Sequence, residues 1–240
     1  MNKIKVLTFD TGGTVLDWHS GFRDAFKLIG EKYGLKKDWA KLANKLRTKS
    51  MSAMLQLGEF RAPEYNFDGA HEFCLREVLS EEKIDQFSEK DIQFIAYDTP
   101  HRFDCWPDFS STIERLRSDF LVCSFTILSY RLIMDTARHN NLVWDAVFSC
   151  EGIGKYKMLP EPYEKVAAYL QVDPSECLMV AAHPWDLNAA RDCGYRTAFV
   201  SRSREWGDEV APWSEKEKIT PDSFDIVVDD FSALATALKV

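Results

Sequence analysis

Six short apolar runs, each stopping at a polar or turn residue, constrain this chain more than any other feature. Ile4-Lys5-Val6-Leu7-Thr8-Phe9 stops at Asp10, and Phe120 to Ser124, Ala146 to Ser149, Cys177 to Ala181, Thr197 to Val200 and Phe224 to Val228 have the same form. Helical patterns separate several of them: Met134 to Asn140, Pro162 to Leu170 and Leu187 to Cys193 each follow a run. Short strands alternating with helices predict a Rossmann-like, doubly wound parallel sheet of the α/β class. A chain of 240 residues, 45% of them apolar, is long enough for such a core plus a smaller insert.

The stretch from Trp18 to Asp104 breaks the alternation. Phe22, Ala25, Phe26, Ile29 and Tyr33 share one helical face, and Leu42, Leu46, Ala53, Met54 and Leu57 sketch a second helix. Residues 68–79 and 83–97 predict a third and a fourth. The expected organisation is a catalytic core of residues 1–17 and 105–240, with residues 18–104 as a helical cap inserted after the first strand. A last helix carrying Phe231, Leu234, Ala235 and Leu238 closes the core.

The net charge of −8 argues against nucleic acid or an anionic membrane surface as a partner. No apolar run approaches the roughly 20 residues that span a bilayer, and the N-terminus has no signal-peptide core. The six cysteines are scattered without a Cys-x-x-Cys pair. This pattern predicts reduced thiols in a cytoplasmic protein, without a disulfide framework or zinc site.

Ligands of open α/β sheets bind beyond the carboxyl ends of the strands. Four such ends here bring polar groups: Asp10 in Phe9-Asp10-Thr11-Gly12-Gly13-Thr14, Ser124-Phe125-Thr126, Lys157 in Gly154-Lys155-Tyr156-Lys157, and His183 with Asp186 in Ala182-His183-Pro184-Trp185-Asp186. A carboxylate, a hydroxyl, an ammonium and a second carboxylate in one cleft form a set suited to covalent catalysis. The lysine keeps the nucleophile ionised, and the second carboxylate fixes the lysine or a water.

The order and spacing of these segments resemble the haloacid dehalogenase superfamily over nearly the whole chain. They are most similar to the type II 2-haloacid dehalogenases: Phe-Asp-x-x-Gly-Thr followed by Leu16-Asp17-Trp18, Tyr156-Lys157 followed by Tyr163, and Val180-Ala181-Ala182-His183-Pro184-Trp185-Asp186. The resemblance implies Asp10 as nucleophile and Thr14, Thr126, Lys157 and Asp186 as further catalytic residues. Thr11, Gly12, Arg47, Tyr163, His183 and Trp185 are the expected substrate-binding residues. Arg47 stands in the Leu46-Arg47 pair at the place of the cap arginine. The implied substrate is a small halogenated carboxylate such as a haloacetate or 2-halopropionate, turned over through an aspartyl ester without metal or cofactor. A homodimer is one expectation for the assembly. Phosphatases of the same superfamily carry a second aspartate two residues after the nucleophile and an acidic pair for magnesium. This chain has Gly12 at the first place, and only Asp186 remains at the second.

Each residue also has a bland alternative. Asp10 reads as a turn aspartate, Lys157 as a solvated lysine, Asp186 as an N-terminal helix carboxylate, His183 as a helix cap and Trp185 as core. Ser124 and Ser129 rival Thr126. Arg47 lies among Lys41, Lys45 and Lys49, a pattern that normally marks a solvated face. The chain departs from the type II pattern at Gly12, Thr126-Ile127 and Ala182-His183, where an aromatic residue and two asparagines are usual. His183 is the candidate substitute for one of the missing polar groups.

Overall fold

The structure, a computed structural model, describes residues 3–55, 66–214 and 218–240. Six strands, β1 (Val6–Phe9), β2 (Leu121–Thr126), β3 (Ala146–Ser149), β4 (Cys177–Ala181), β5 (Arg196–Val200) and β6 (Ile226–Val228), form one sheet in the order β3-β2-β1-β4-β5-β6. Every pairing is parallel. β1 and β4 are buried along their whole lengths, so their sequences are near-continuously apolar instead of alternating. β2 continues two residues past the predicted end because Phe125 and Thr126 pair with Phe148 and Ser149.

The sheet grows one way from β1 through β2 to β3, then the other way from β4 onward. The reversal falls between β1 and β4, where Phe9 lies opposite Val180. A crevice opens beyond the carboxyl ends at such a point, and the segments after β1 and β4 both lead into it.

The described residues between β1 and β2 carry the helices α1 (Trp18–Lys32), α2 (Trp39–Leu55), α3 (Phe67–Glu81) and α4 (Glu89–Gln93). Asp17 caps α1 by accepting from the Ser20 amide at 3.0 Å, and Phe22, Ala25, Phe26 and Ile29 form its buried face. α4 begins six residues later than the pattern predicts, because Ser88 and Asp91 form a reciprocal capping box that sets its first turn. Leu57, assigned to the second helix from sequence, lies outside the described residues. The two connections of this segment run side by side: Leu16 bridges antiparallel to Cys105, and the Asp17 amide donates to the Asp104 carbonyl at 2.9 Å.

The remaining helices are α5 (Pro107–Ser110), α6 (Ile113–Arg117), α7 (Tyr130–His139), α8 (Cys150–Ile153), α9 (Pro160–Tyr169), α10 (Pro184–Asp192) and α11 (Phe231–Leu238). α7 starts four residues before its predicted position because Ser129 caps it. Pro184 starts α10 at its first turn, where the missing amide is harmless. All six cysteines are free, and among the described residues no helix is long and apolar enough to cross a membrane.

Beneath β1, Phe109 packs edge-on against Phe9 and Phe231, with ring centroids 5.3 and 4.8 Å away. It is fully buried in this aromatic cluster. Phe109→Ala should therefore cost about 3–5 kcal/mol of unfolding free energy, read from urea denaturation. A loss below about 1 kcal/mol would show that this cluster does not support β1.

Candidate active site

Asp10 follows the last residue of β1, and its carboxylate is buried with three donors upon it. Lys157 Nζ donates to Oδ1 at 3.0 Å; Thr14 Oγ1 at 2.7 Å and His183 Nδ1 at 2.9 Å donate to Oδ2. Burial pushes the carboxyl pKa up, but the Lys157 charge, the His183 hydrogen bond and charge, and the Thr14 hydroxyl outweigh it. The group ends well below the usual carboxylate range. Asp10 is an ionised carboxylate at the floor of the crevice.

Lys157 is completely buried, so its solvated reading fails. Nζ also donates to Asp186 Oδ2 at 2.6 Å, and the Tyr163 hydroxyl donates to Asp186 Oδ1 at 2.6 Å. Burial lowers the lysine pKa, yet Asp10 and Asp186 together raise it above the ordinary value. Met158, the next residue, has φ +77°, a left-handed conformation that a non-glycine residue adopts at a cost. Asp186 is in the first turn of α10 and is fully buried, so helix position and ion pair coexist.

His183 occupies the N-cap position of α10, but its side chain makes no capping hydrogen bond. It spans two carboxylates instead: Nδ1 faces Asp10 and Nε2 lies 2.9 Å from Glu205 Oε1. Burial lowers the imidazole pKa; Glu205 and Asp10 more than reverse this and push it up to about 10. Glu205, in the loop after β5, also accepts from Trp18 Nε1 at 3.0 Å. Gly13 makes room for it: φ is +97°, and a Cβ there would fall on the Glu205 carboxylate.

Arg47 is buried, on the crevice side of α2. Nη2 donates to the Gly12 carbonyl at 3.0 Å, and the guanidinium lies over the rings of Trp18 and Phe67 at 5.3 and 5.8 Å. Gly12 permits this approach, since a Cβ there would sit 3.1 Å from Nη2. Lys45 and Lys49 instead pair with Glu81 on the surface, and they form the solvated side of the helix. Arg47, Met158, His183, Trp185, Glu205 and Trp213 line a cavity of about 420 Å³. Asp10 lies one hydrogen bond deeper, behind His183.

Three sequence candidates sit otherwise than a substrate contact would. Tyr163 is fully buried behind Asp186 and orients that carboxylate. Thr126 Oγ1 accepts from Thr11 Oγ1 at 2.6 Å and from the Leu128 amide at 3.1 Å, so both threonines brace the loop without a described bond to Asp10. Of the rivals to Thr126, Ser129 caps α7 and donates to Asp68, while the buried Ser124 hydroxyl has no hydrogen-bond partner among the described residues. Trp185 stacks on the His183 ring with centroids 5.4 Å apart. Glu205 was not found from sequence, because it belongs to an irregular charged stretch that ends no strand and matches no motif.

The donor set does not fit a divalent cation. The Lys157 ammonium occupies the space between Asp10 and Asp186, Tyr163 takes the other Asp186 oxygen, and Gly12 supplies no side-chain oxygen. A hard cation needs several free oxygens. Among the described residues no group of three or more His, Cys, Asp or Glu is arranged to hold a metal.

The sheet order, the aspartate after the first strand and the lysine and second aspartate beside it define a buried, carboxylate-centred site at the switch point of a Rossmann-like parallel sheet. A model of the haloacid dehalogenase-like hydrolases matches residues 4–194, and the chain belongs to that family. The chain is 23% identical over 205 residues to (S)-2-haloacid dehalogenase 1 of Pseudomonas sp. (strain CBS-3), covering 84% of this chain and 86% of the relative. It is similar to the structure of the L-2-haloacid dehalogenase PA0810, with TM-score 0.88, 27% identity and coverage of 98% and 99% of the two chains. It is likewise similar to the defluorinating L-2-haloacid dehalogenase Rha0230, with TM-score 0.87, 28% identity and coverage of 99% and 96%.

The flanking carboxylates make a testable demand on His183. Its imidazole should remain protonated through neutral pH and titrate near about 10 in a nitrogen-15 NMR titration. Because the folded pKa is raised, the associated stability is fully present below the unfolded value near 6.5 and is lost as pH rises through about 10. A midpoint near 6.5 in the folded protein would contradict the bridge.

Proposed function

We propose that this protein is a hydrolytic dehalogenase of small 2-haloalkanoic acids, working through an ester on Asp10. The observation that carries the reading is an ionised Asp10, with Gly12 in place of an acid two residues on, lying one hydrogen bond below the cavity that the buried Arg47 lines. Displacement of halide needs a bare carboxylate and no proton for the leaving group. Phosphate ester hydrolysis needs an acid for the departing alcohol, and the position nearest that task holds a glycine.

The substrate carboxylate or departing halide lies against Arg47, whose planar, permanently charged guanidinium suits it. Asp10 attacks the halogen-bearing carbon, and the halide leaves with the bonding pair. Water then attacks the ester carbonyl, releasing a 2-hydroxy acid and restoring Asp10. Dividing the displacement in this way replaces one hard step with two easier ones. Lys157 keeps Asp10 ionised between turnovers. The similarity to named 2-haloacid dehalogenases supports the substrate class, and the free thiols suit a reducing, cytoplasmic setting.

The test is halide release from chloro-, bromo- and fluoroacetate and 2-halopropionates, with and without EDTA. Release should survive chelation and disappear in Asp10→Asn. A single turnover in oxygen-18 water should leave the first product unlabelled, since its new oxygen comes from Asp10. Labelled first product, or a magnesium-dependent phosphatase activity in its place, would overturn the reading.

The cap arginine gives a second measurement. Arg47→Lys should cost at least about tenfold in kcat/KM, on the order of 1.4 kcal/mol or more. Lys45→Ala and Lys49→Ala should cost little, because both side chains are engaged on the surface. Equal, small effects from all three would remove Arg47 from anion binding.

A further inference from the structure

We propose that His183, held by Glu205, forms with Thr14 the oxyanion hole for hydrolysis of the Asp10 ester, and that Asp10 Oδ1 is the oxygen that becomes alkylated. The proposal rests on the dehalogenase reading of the same site and assigns a task that the reading leaves open.

The two oxygens of Asp10 are not equivalent. Oδ1 has the Lys157 ammonium at 3.0 Å, whereas Oδ2 has Thr14 Oγ1 at 2.7 Å and His183 Nδ1 at 2.9 Å. An oxygen with one donor retains a lone pair for attack on carbon. An oxygen with two donors is arranged to accept charge, which is what the carbonyl oxygen of an ester does when water adds. The Thr14 hydroxyl is itself oriented, because Oγ1 accepts the Ala182 amide at 2.9 Å and so turns its hydrogen toward Asp10.

The alternative helper, Asp186, is poorly placed. Both its oxygens are engaged at 2.6 Å, by Lys157 and Tyr163, and it is fully buried away from the cavity lining. His183 by contrast is in the cavity wall and touches the reacting carboxylate. The groups facing the imidazole are Asp10 after β1, Glu205 after β5, the indole of Trp185 on α10 and, across the cavity, Arg47 on α2. Ester formation neutralises Asp10 and leaves Glu205 as the counter-ion. The imidazole accordingly stays charged when the oxyanion forms, and burial makes its donor far stronger than one in water.

In the first step the Oδ1–carbon bond forms as the carbon–halogen bond breaks, and halide leaves with the electron pair. Water oxygen then bonds to Cγ, and the carbonyl π pair moves onto Oδ2 under the two donors. The Cγ–Oδ1 bond breaks toward the product. One proton of the water ends on the product hydroxyl, and the other passes to solvent as Asp10 returns to its ionised form. The sum is organic halide plus water giving alcohol, halide and a proton.

The experiment follows the two half-reactions separately with chloroacetate, using rapid-quench chloride release and intact-protein mass. His183→Ala should retain a stoichiometric burst of chloride and accumulate the ester, with hydrolysis slowed about 10²–10³-fold. His183→Asn keeps a neutral donor near the Nδ1 position and should hydrolyse the ester at least about tenfold faster than the alanine variant. Glu205→Gln preserves the hydrogen bonds but removes the counter-ion. Its ester should decay slowly at about pH 8 and faster as pH falls, since with neither anion present burial holds the imidazole pKa below its ordinary value. Equal ester decay in the alanine and asparagine variants would indicate a base instead and overturn the proposal, as would no ester accumulation or a pH-independent, wild-type Glu205→Gln. If wild-type protein releases no halide from any haloacid, the dehalogenase reading fails first. Halide release by wild type with unchanged ester decay in the variants defeats this inference alone.

Discussion

Alternating charge in a buried crevice organises this molecule. Asp186, Lys157, Asp10, His183 and Glu205 form a row of five in which each carboxylate is separated from the next by a cation, at contacts of 2.6 to 3.0 Å. None of them is more than marginally exposed. Removing a single member would leave an uncompensated buried charge, and breaking such a pair typically costs about 3–5 kcal/mol. The row is therefore a constraint on the fold as well as a site.

Its five members come from four separated places: the end of β1, the turn before α9, the N-terminal turn of α10, which supplies two, and the loop after β5. The reversal of strand order between β1 and β4 brings the first and third of these together. The helical segment adds Arg47 and the Trp18 indole, which closes on Glu205. The parallel sheet supplies fixed strand ends, and the helices supply the exclusion of water that makes each charge effective.

Much of this was legible in the chain. Apolar runs ending at Asp10 and Ala181 reveal strands because β1 and β4 are buried on both faces, and the polar residues beyond them reveal the crevice. The element starts were harder, since Ser129, Pro184 and the Ser88–Asp91 box set first turns that periodicity does not register. The partners of hydroxyls were not legible. Thr126 and Tyr163 each occupy a marked position, yet one braces Thr11 and the other Asp186. Glu205 was invisible for a different reason: its significance arises from a contact with residues 22 and 187 positions away, in a loop with neither period nor motif.

The close approach of Arg47 to the backbone at Gly12 has a consequence for selectivity. With only a hydrogen at position 12, the guanidinium settles against the carbonyl and fixes how deep the positive charge lies above Asp10. Any longer side chain there acts as a spacer, lifting the cation and lengthening the interval between the guanidinium and the Asp10 carboxylate. On the dehalogenase function proposed above, the smallest residue in the first loop would thus work as a ruler for the chain length of acid that bridges the two charges.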